Sequence, residues 1–373
     1  MKKTLVSAFV LLLTAWVMFS CQKDPGSSTP DPSPSATPDR KALLTQWADS
    51  LIKPGYQRFD GKFAALKNKT TAFTTAPTTA SLLEARQAWQ QAYVEWQKVE
   101  MFEFGPAESV SLRNHFNIYP TDAAGIRQNI SSGSYNFDLA TTIPQQGFPA
   151  LDYLLNGIGA DNAAIVQQYA ASAGHRRYLT DVVAKMDQTF GKVYAEWNGS
   201  YRDTFINNAG TDASSSLSRV INAYSLYFER YLRAGKVGIP AGTMTGTPVP
   251  EKIESYYLRG ALPGQLATTA HAAVQLFFNG RSASQPSLKS YLDALGAKDS
   301  RTNQTLSGII NTQLDASYQK LNSLSPDLYA AIRSRNAEAV ASYNEMQKAV
   351  RMLKVDMTSA LGITVTYVDN DGD

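Results

Sequence analysis

The chain has 373 residues, 43% of them apolar and 18% charged, with a formal net charge of +3. That is the composition of a globular protein long enough for two domains of ordinary size. A charge this small, with no basic run, gives no basis for a nucleic-acid partner.

Residues 1–20 read as a lipoprotein signal peptide. Lys2 and Lys3 precede an apolar stretch, Leu5–Phe19, that is too short to span a membrane. Cys21 follows directly and is the only cysteine, so an internal disulfide is excluded. Ser20 before Cys21 fits a lipobox, although Met18 and Phe19 depart from its strictest form; the alternative is an ordinary secretory signal with Cys21 incidental. Acylated Cys21 would tether the chain to the membrane, firmly if it carries several acyl chains. Residues 21–39 are rich in Pro, Ser, Thr and Asp and read as an extended, disordered tether. Gln22-Lys23-Asp24 is similar to a short signal for the outer face of the outer membrane. The expected location is the cell envelope, as an outer-membrane lipoprotein facing the periplasm or exported to the surface.

Pro38-Asp39 opens the folded part, and helical spacing follows almost everywhere to about residue 361. Leu43, Leu44, Trp47, Leu51 and Ile52 keep the spacing, then Tyr56, Phe59, Phe63 and Leu66. Ser81–Pro106 reads as one long helix. At about 100° per residue, Leu82, Trp89, Tyr93 and Trp96 share a stripe, Glu100 and Glu103 continue it, and Arg86 sits at its edge. Carboxylates on a core stripe need an arginine, a metal, a ligand cation or a shared proton. The plain alternative is a helix end in water or paired with structural cations. Gly105-Pro106 ends the helix. Residues 105–146 read as a long irregular loop with a short helix near Asp122–Ile130.

Gln146–Gly159 reads as a short helix with Phe148, Asp152 and Leu155 on one face, which makes Asp152 a third inward carboxylate. Helices follow at Ala163–Ala171 and His175–Trp197, and the polar Gly199–Asp212 stretch suggests a domain boundary. Beyond it, helices are expected at Leu217–Leu232, Ile253–Phe278 (interrupted near Gly260 and Pro263), Ser287–Leu295, Asn303–Leu321 and Glu338–Leu361, with a loop at Gly235–Pro250 and another helix capped near Asp327. Ile363–Val368 is too isolated to make a sheet. The fold class is all-α in two helical bundles, residues 40–205 and 206–373.

Three stretches, WQQAYVEWQKVEMFEFGP, GFPALDYLLNG and the ending ALGITVTYVDNDGD, resemble the imelysin family in their order and separation. The resemblance covers residues 40–373. It implies an exported or lipid-anchored bacterial protein, linked to iron uptake, with two bundles related by duplication. The family hallmark GxHxxE falls on Gly147–Asp152: Gly147 is kept, Pro149 replaces the His, and Asp152 replaces the Glu. A hallmark metal site would lose a ligand, and catalysis that needs that His would be lost. The matching ligand-binding set is Glu100, Glu103, Asp152, Arg86 and Gly147, with Glu100, Glu103 and Asp152 as metal ligands for iron or another cation.

Other chemistry is sparse. His175 reads as a surface residue, His271 as a core histidine, and His115 as the best substitute ligand. No HExxH, Walker loop or nucleophile elbow is present. Asp369–Asp373 resembles the start of a calcium loop but ends too soon, so a solvated acidic tail is expected. The leading functional expectation is an envelope binding protein with an uptake-system partner. The alternatives are a metal-dependent peptidase of the imelysin type, without a catalytic residue assignable here, and a degenerate scaffold. Glu100, Glu103 and Asp152 are expected to converge on one pocket under the Gly105–Ile143 loop, with Arg86 as counter-ion.

Overall fold

A computed structural model describes residues 38–324 and 326–367, and Cys21, the tether and the acidic tail lie outside them. The architecture is all-α. Among the described residues no strand forms, only an isolated bridge between Lys298 and Thr305. Asp39 caps the first helix through the amide of Ala42. Lys53–Thr75 packs against Thr79–Trp96 and Ala173–Asn198, while Leu306–Asn322 packs against Leu262–Asn279 and Asn336–Arg351. Residues 38–324 and 326–367 form one compact unit. The 205/206 boundary falls inside the Tyr201–Asn207 helix. One apolar core runs through both halves, joined for example by Trp47 stacked on Phe277 with centroids 4.6 Å apart.

Three helix limits differ from the sequence reading, each for a local reason. The long aromatic helix begins at a Thr78 capping box but stops at Trp96. The following residues form tight turns, in which both Val99 and Glu100 donate to the Trp96 carbonyl at 2.9 Å. Glu100 and Glu103 therefore leave the stripe. The Ser216–Leu226 helix runs on through Gly235 as a wide π-helical segment, Tyr227–Gly238, where a loop was expected. Finally, the Leu262–Asn279 helix starts later than its periodicity suggests, because Ser255, Arg259 and Gly260 all have positive φ, at 58°, 58° and 60°. Residues 105–146 hold the expected short helix, at Ala123–Ser132, and two more that the spacing did not suggest, at Pro106–Ser109 and Leu112–Phe116.

Candidate functional site

The aromatic stripe packs as its spacing predicts. Tyr93 stacks on Phe148 with centroids 4.4 Å apart, and Trp89 Nε1 donates to the Phe148 carbonyl at 3.2 Å. Past the end of that helix, Glu100 is buried, at 2% exposure. Asn117 Nδ2 donates to its Oε1 at 2.8 Å, Tyr227 Oη donates to its Oε2 at 3.2 Å, and Lys236 Nζ lies 3.6 Å from Oε2. A second buried carboxylate, Glu254, shares this environment. It accepts from Gln97 Nε2 at 3.0 Å, from Asn117 Nδ2 at 2.7 Å and from Lys236 Nζ at 2.8 Å. Tyr93 Oη closes the network on Asn117 Oδ1 at 2.5 Å. Two carboxylates thus share one ammonium, deep enough that each charge depends on the others. Burial first, and then the nearby Glu100 and Glu254, push the Tyr227 and Tyr119 phenols well above their usual range, so both stay protonated.

Asp152 does something else. It sits at the end of the Gly147–Asp152 helix, buried to 1% exposure. Its oxygens accept from the amides of Tyr257 at 2.7 Å and Leu258 at 3.0 Å and from Asn156 Nδ2 at 3.0 Å. The carboxylate thus pins the turn that carries Glu254 and Ser255, and so positions Glu254 from the other half of the chain. Burial, opposed by these hydrogen bonds, pushes its pKa up to about 7.

Next to Asp152 lies a cavity of about 200 Å³. Tyr119, Tyr256, Tyr257, Pro149, Asp152 and Glu251 contribute to its wall, together with Ser255, and no lysine or arginine does. Ser255 holds the left-handed conformation at φ 58°, which costs a non-glycine residue of order 1–3 kcal/mol. Its Oγ is buried and meets no protein hydrogen-bond partner. Strain and an unsatisfied hydroxyl at one residue are a combination that folding alone does not favour.

The model for imelysin matches residues 52–357. The chain belongs to the imelysin family. It is 32% identical over 98 residues to iron-regulated protein A of Synechococcus elongatus, a match covering 25% of this chain and 28% of that protein. Two solved structures share its fold at 18% identity. One, described as an iron-regulated protein A precursor from Parabacteroides distasonis, aligns at TM-score 0.67 over 86% of this chain and 95% of its own. The other, an imelysin-like protein from Psychrobacter arcticus, aligns at TM-score 0.66 over 88% and 97%.

Within this imelysin, the residues singled out from sequence are dispersed. Glu100, Asp152 and Glu103 line three different cavities. Glu103 accepts from the Arg113 amide at 3.1 Å, and burial, opposed by Arg113, pushes its pKa up to about 7. Arg86 is not the counter-ion of the glutamates. It donates to the Leu155 carbonyl at 2.8 Å and to Asn162 Oδ1 at 2.6 Å, tying helices together. Lys236 takes the counter-ion place instead. Gly147 sits at φ 79°, and a Cβ there would lie 2.5 Å from the Phe116 carbonyl oxygen, so its role is close packing. His115 bonds Gln146 through Nδ1 at 3.0 Å and joins no carboxylate cluster. His271 is a core residue bonded to Ser317 at 2.7 Å. Lys236, Glu254, Asn117 and Gln97 escaped the sequence reading. None of the four stands out by its local spacing, and only the fold brings them together.

Proposed function

We propose that this imelysin is a non-hydrolytic binding protein of the cell envelope, tethered through acylated Cys21 and serving an iron-linked uptake system. Its site is the cavity beside Asp152, and the group it takes is an organic cation, an amine or guanidinium. The carrying observation is the wall itself: the carboxylates of Asp152 and Glu251, three tyrosine rings and the unsatisfied Ser255 Oγ, with no lysine or arginine in the lining; Arg259 lies outside it, 4.6 Å from the centre of the Tyr256 ring. Carboxylates and aromatic faces favour a cation, and the free hydroxyl supplies an acceptor for its N–H. The iron link is drawn from the name of the relative, iron-regulated protein A.

The donor set does not fit a bare metal ion. Among the described residues no three His, Cys, Asp or Glu side chains are placed to hold one. The cavity wall offers two carboxylates, Asp152 and Glu251, and Lys236 already holds Glu100 and Glu254. A hydrolytic metal needs firm ligands and an open position, and Pro149 supplies neither. Calorimetric titration of the purified chain with agmatine, with and without chelator, tests the reading. One-to-one binding that the chelator leaves unchanged and Glu251→Gln weakens supports it. Chelator-sensitive cleavage of casein, with no agmatine binding, overturns it in favour of the peptidase.

A further inference from the structure

A second cavity, of about 280 Å³, lies away from this site and is built differently. It opens where the Leu262–Asn279 helix meets the junction at Leu51 and the turn after Trp96. Its apolar surface comes from Leu51, Met101, Phe102, Leu276 and Phe277. Leu276 is 38% exposed, one of few large apolar side chains among the described residues this open to water. The polar lining holds three cations, Arg58, Lys98 and Arg281, beside the hydroxyls of Thr268, Thr269 and Tyr318, with no carboxylate in the wall.

The charge at the rim is unbalanced. Arg58 and Lys98 share one carboxylate, Glu95, at 3.1 and 2.7 Å, and Glu95 is buried to 7% exposure. Arg281 donates to the Ser50 carbonyl at 2.9 Å, a neutral acceptor. Three cations against one carboxylate leave about two positive charges over an apolar trough. We propose that this cavity binds a free fatty carboxylate, with the alkyl chain along Leu51, Phe102, Leu276 and Phe277 and the head group between Arg281 and Lys98. The occupant follows from the pairing: an apolar chain matches the floor, and a single anionic head matches cations that their own partners do not neutralise. The cavity holds roughly nine water-sized groups at about 30 Å³ each, a medium-length chain. The site is independent of the cation cavity, since the two share no lining residue.

The experiment is calorimetric titration of the full-length chain with octanoate, decanoate, laurate and myristate, alongside decanol and decyltrimethylammonium. One-to-one binding is expected, with affinity rising about fourfold per methylene until the trough is filled. Decanol and the ammonium should bind at least tenfold more weakly than decanoate. Arg281→Glu and Lys98→Glu should each lower decanoate affinity at least tenfold. Ala272→Trp, at an exposed wall position, should block binding while leaving the circular dichroism and melting temperature unchanged. Equal binding of the ammonium, or affinity unmoved by both charge reversals, overturns the proposal. So does either of two other occupancies: sedimentation with phosphatidylglycerol vesicles that Ala272→Trp abolishes while laurate fails to bind, or a ligand-free dimer that the same substitution dissociates.

Discussion

Replacing Lys236 by Met removes the ammonium that Glu100 and Glu254 share at 3.6 and 2.8 Å, while keeping most of its apolar bulk. Both carboxylates are at most 2% exposed, so water cannot replace the lost charge. Breaking a buried pair from one side costs about 3–5 kcal/mol. At a few degrees per kcal/mol for a chain of this size, the melting temperature should fall by on the order of 10 °C. Adding Glu254→Gln to Lys236→Met should restore about half of the loss, since one buried charge then remains. Thermal melts of the four proteins of this cycle at neutral pH make the check. A loss below about 1 kcal/mol for Lys236→Met, or a double variant no more stable than the single, would refute the picture of two carboxylates balanced by one lysine.

Ser255→Gly relieves a positive φ and removes the unsatisfied Oγ, so agmatine affinity should fall while stability holds or rises by up to about 1 kcal/mol; a marked loss of stability would make the serine a structural residue. Gly147→Ala places a Cβ 2.5 Å from the Phe116 carbonyl oxygen, and chemical denaturation should show a cost of about 2 kcal/mol or more. Because burial raises Asp152 to a pKa of about 7, agmatine binding should strengthen as pH rises through neutrality and the carboxylate ionises; Asp152→Asn should flatten that profile. The same raised pKa, and that of Glu103, favour the folded state below their unfolded values, so stability should decline as pH rises from about 4 to 7, visible in urea melts.

The all-α class was legible because periodicity reports burial directly: Trp89, Tyr93 and Trp96 share a stripe in sequence and all face the core, with Phe148 packed against Tyr93 and Trp96. The inward character of Asp152 was legible for the same reason, as a polar residue on an apolar face, whereas Glu100 is buried by the turns after Trp96 and not by the helix face. Their partners were not legible. Lys236 lay in a stretch whose glycines suggested a loop, yet a π-helical turn carries it inward. Glu254 lay in what looked like a helix, yet Asp152 gathers its turn through two amides 105 and 106 residues away in sequence. Local spacing cannot express a contact of that range. The convergence expected of Glu100, Glu103 and Asp152 assumed that the aromatic helix ran on to Gly105. Its end at Trp96 redirects the two glutamates into separate surroundings.

The most direct test of the central claim is a crystal structure of the chain soaked with agmatine. The account predicts ligand density in the cavity beside Pro149, with a nitrogen within hydrogen-bonding distance of Ser255 Oγ and the charged group against Glu251 or Asp152. A metal ion coordinated in that cavity, or agmatine bound elsewhere with the cavity unchanged, would contradict it.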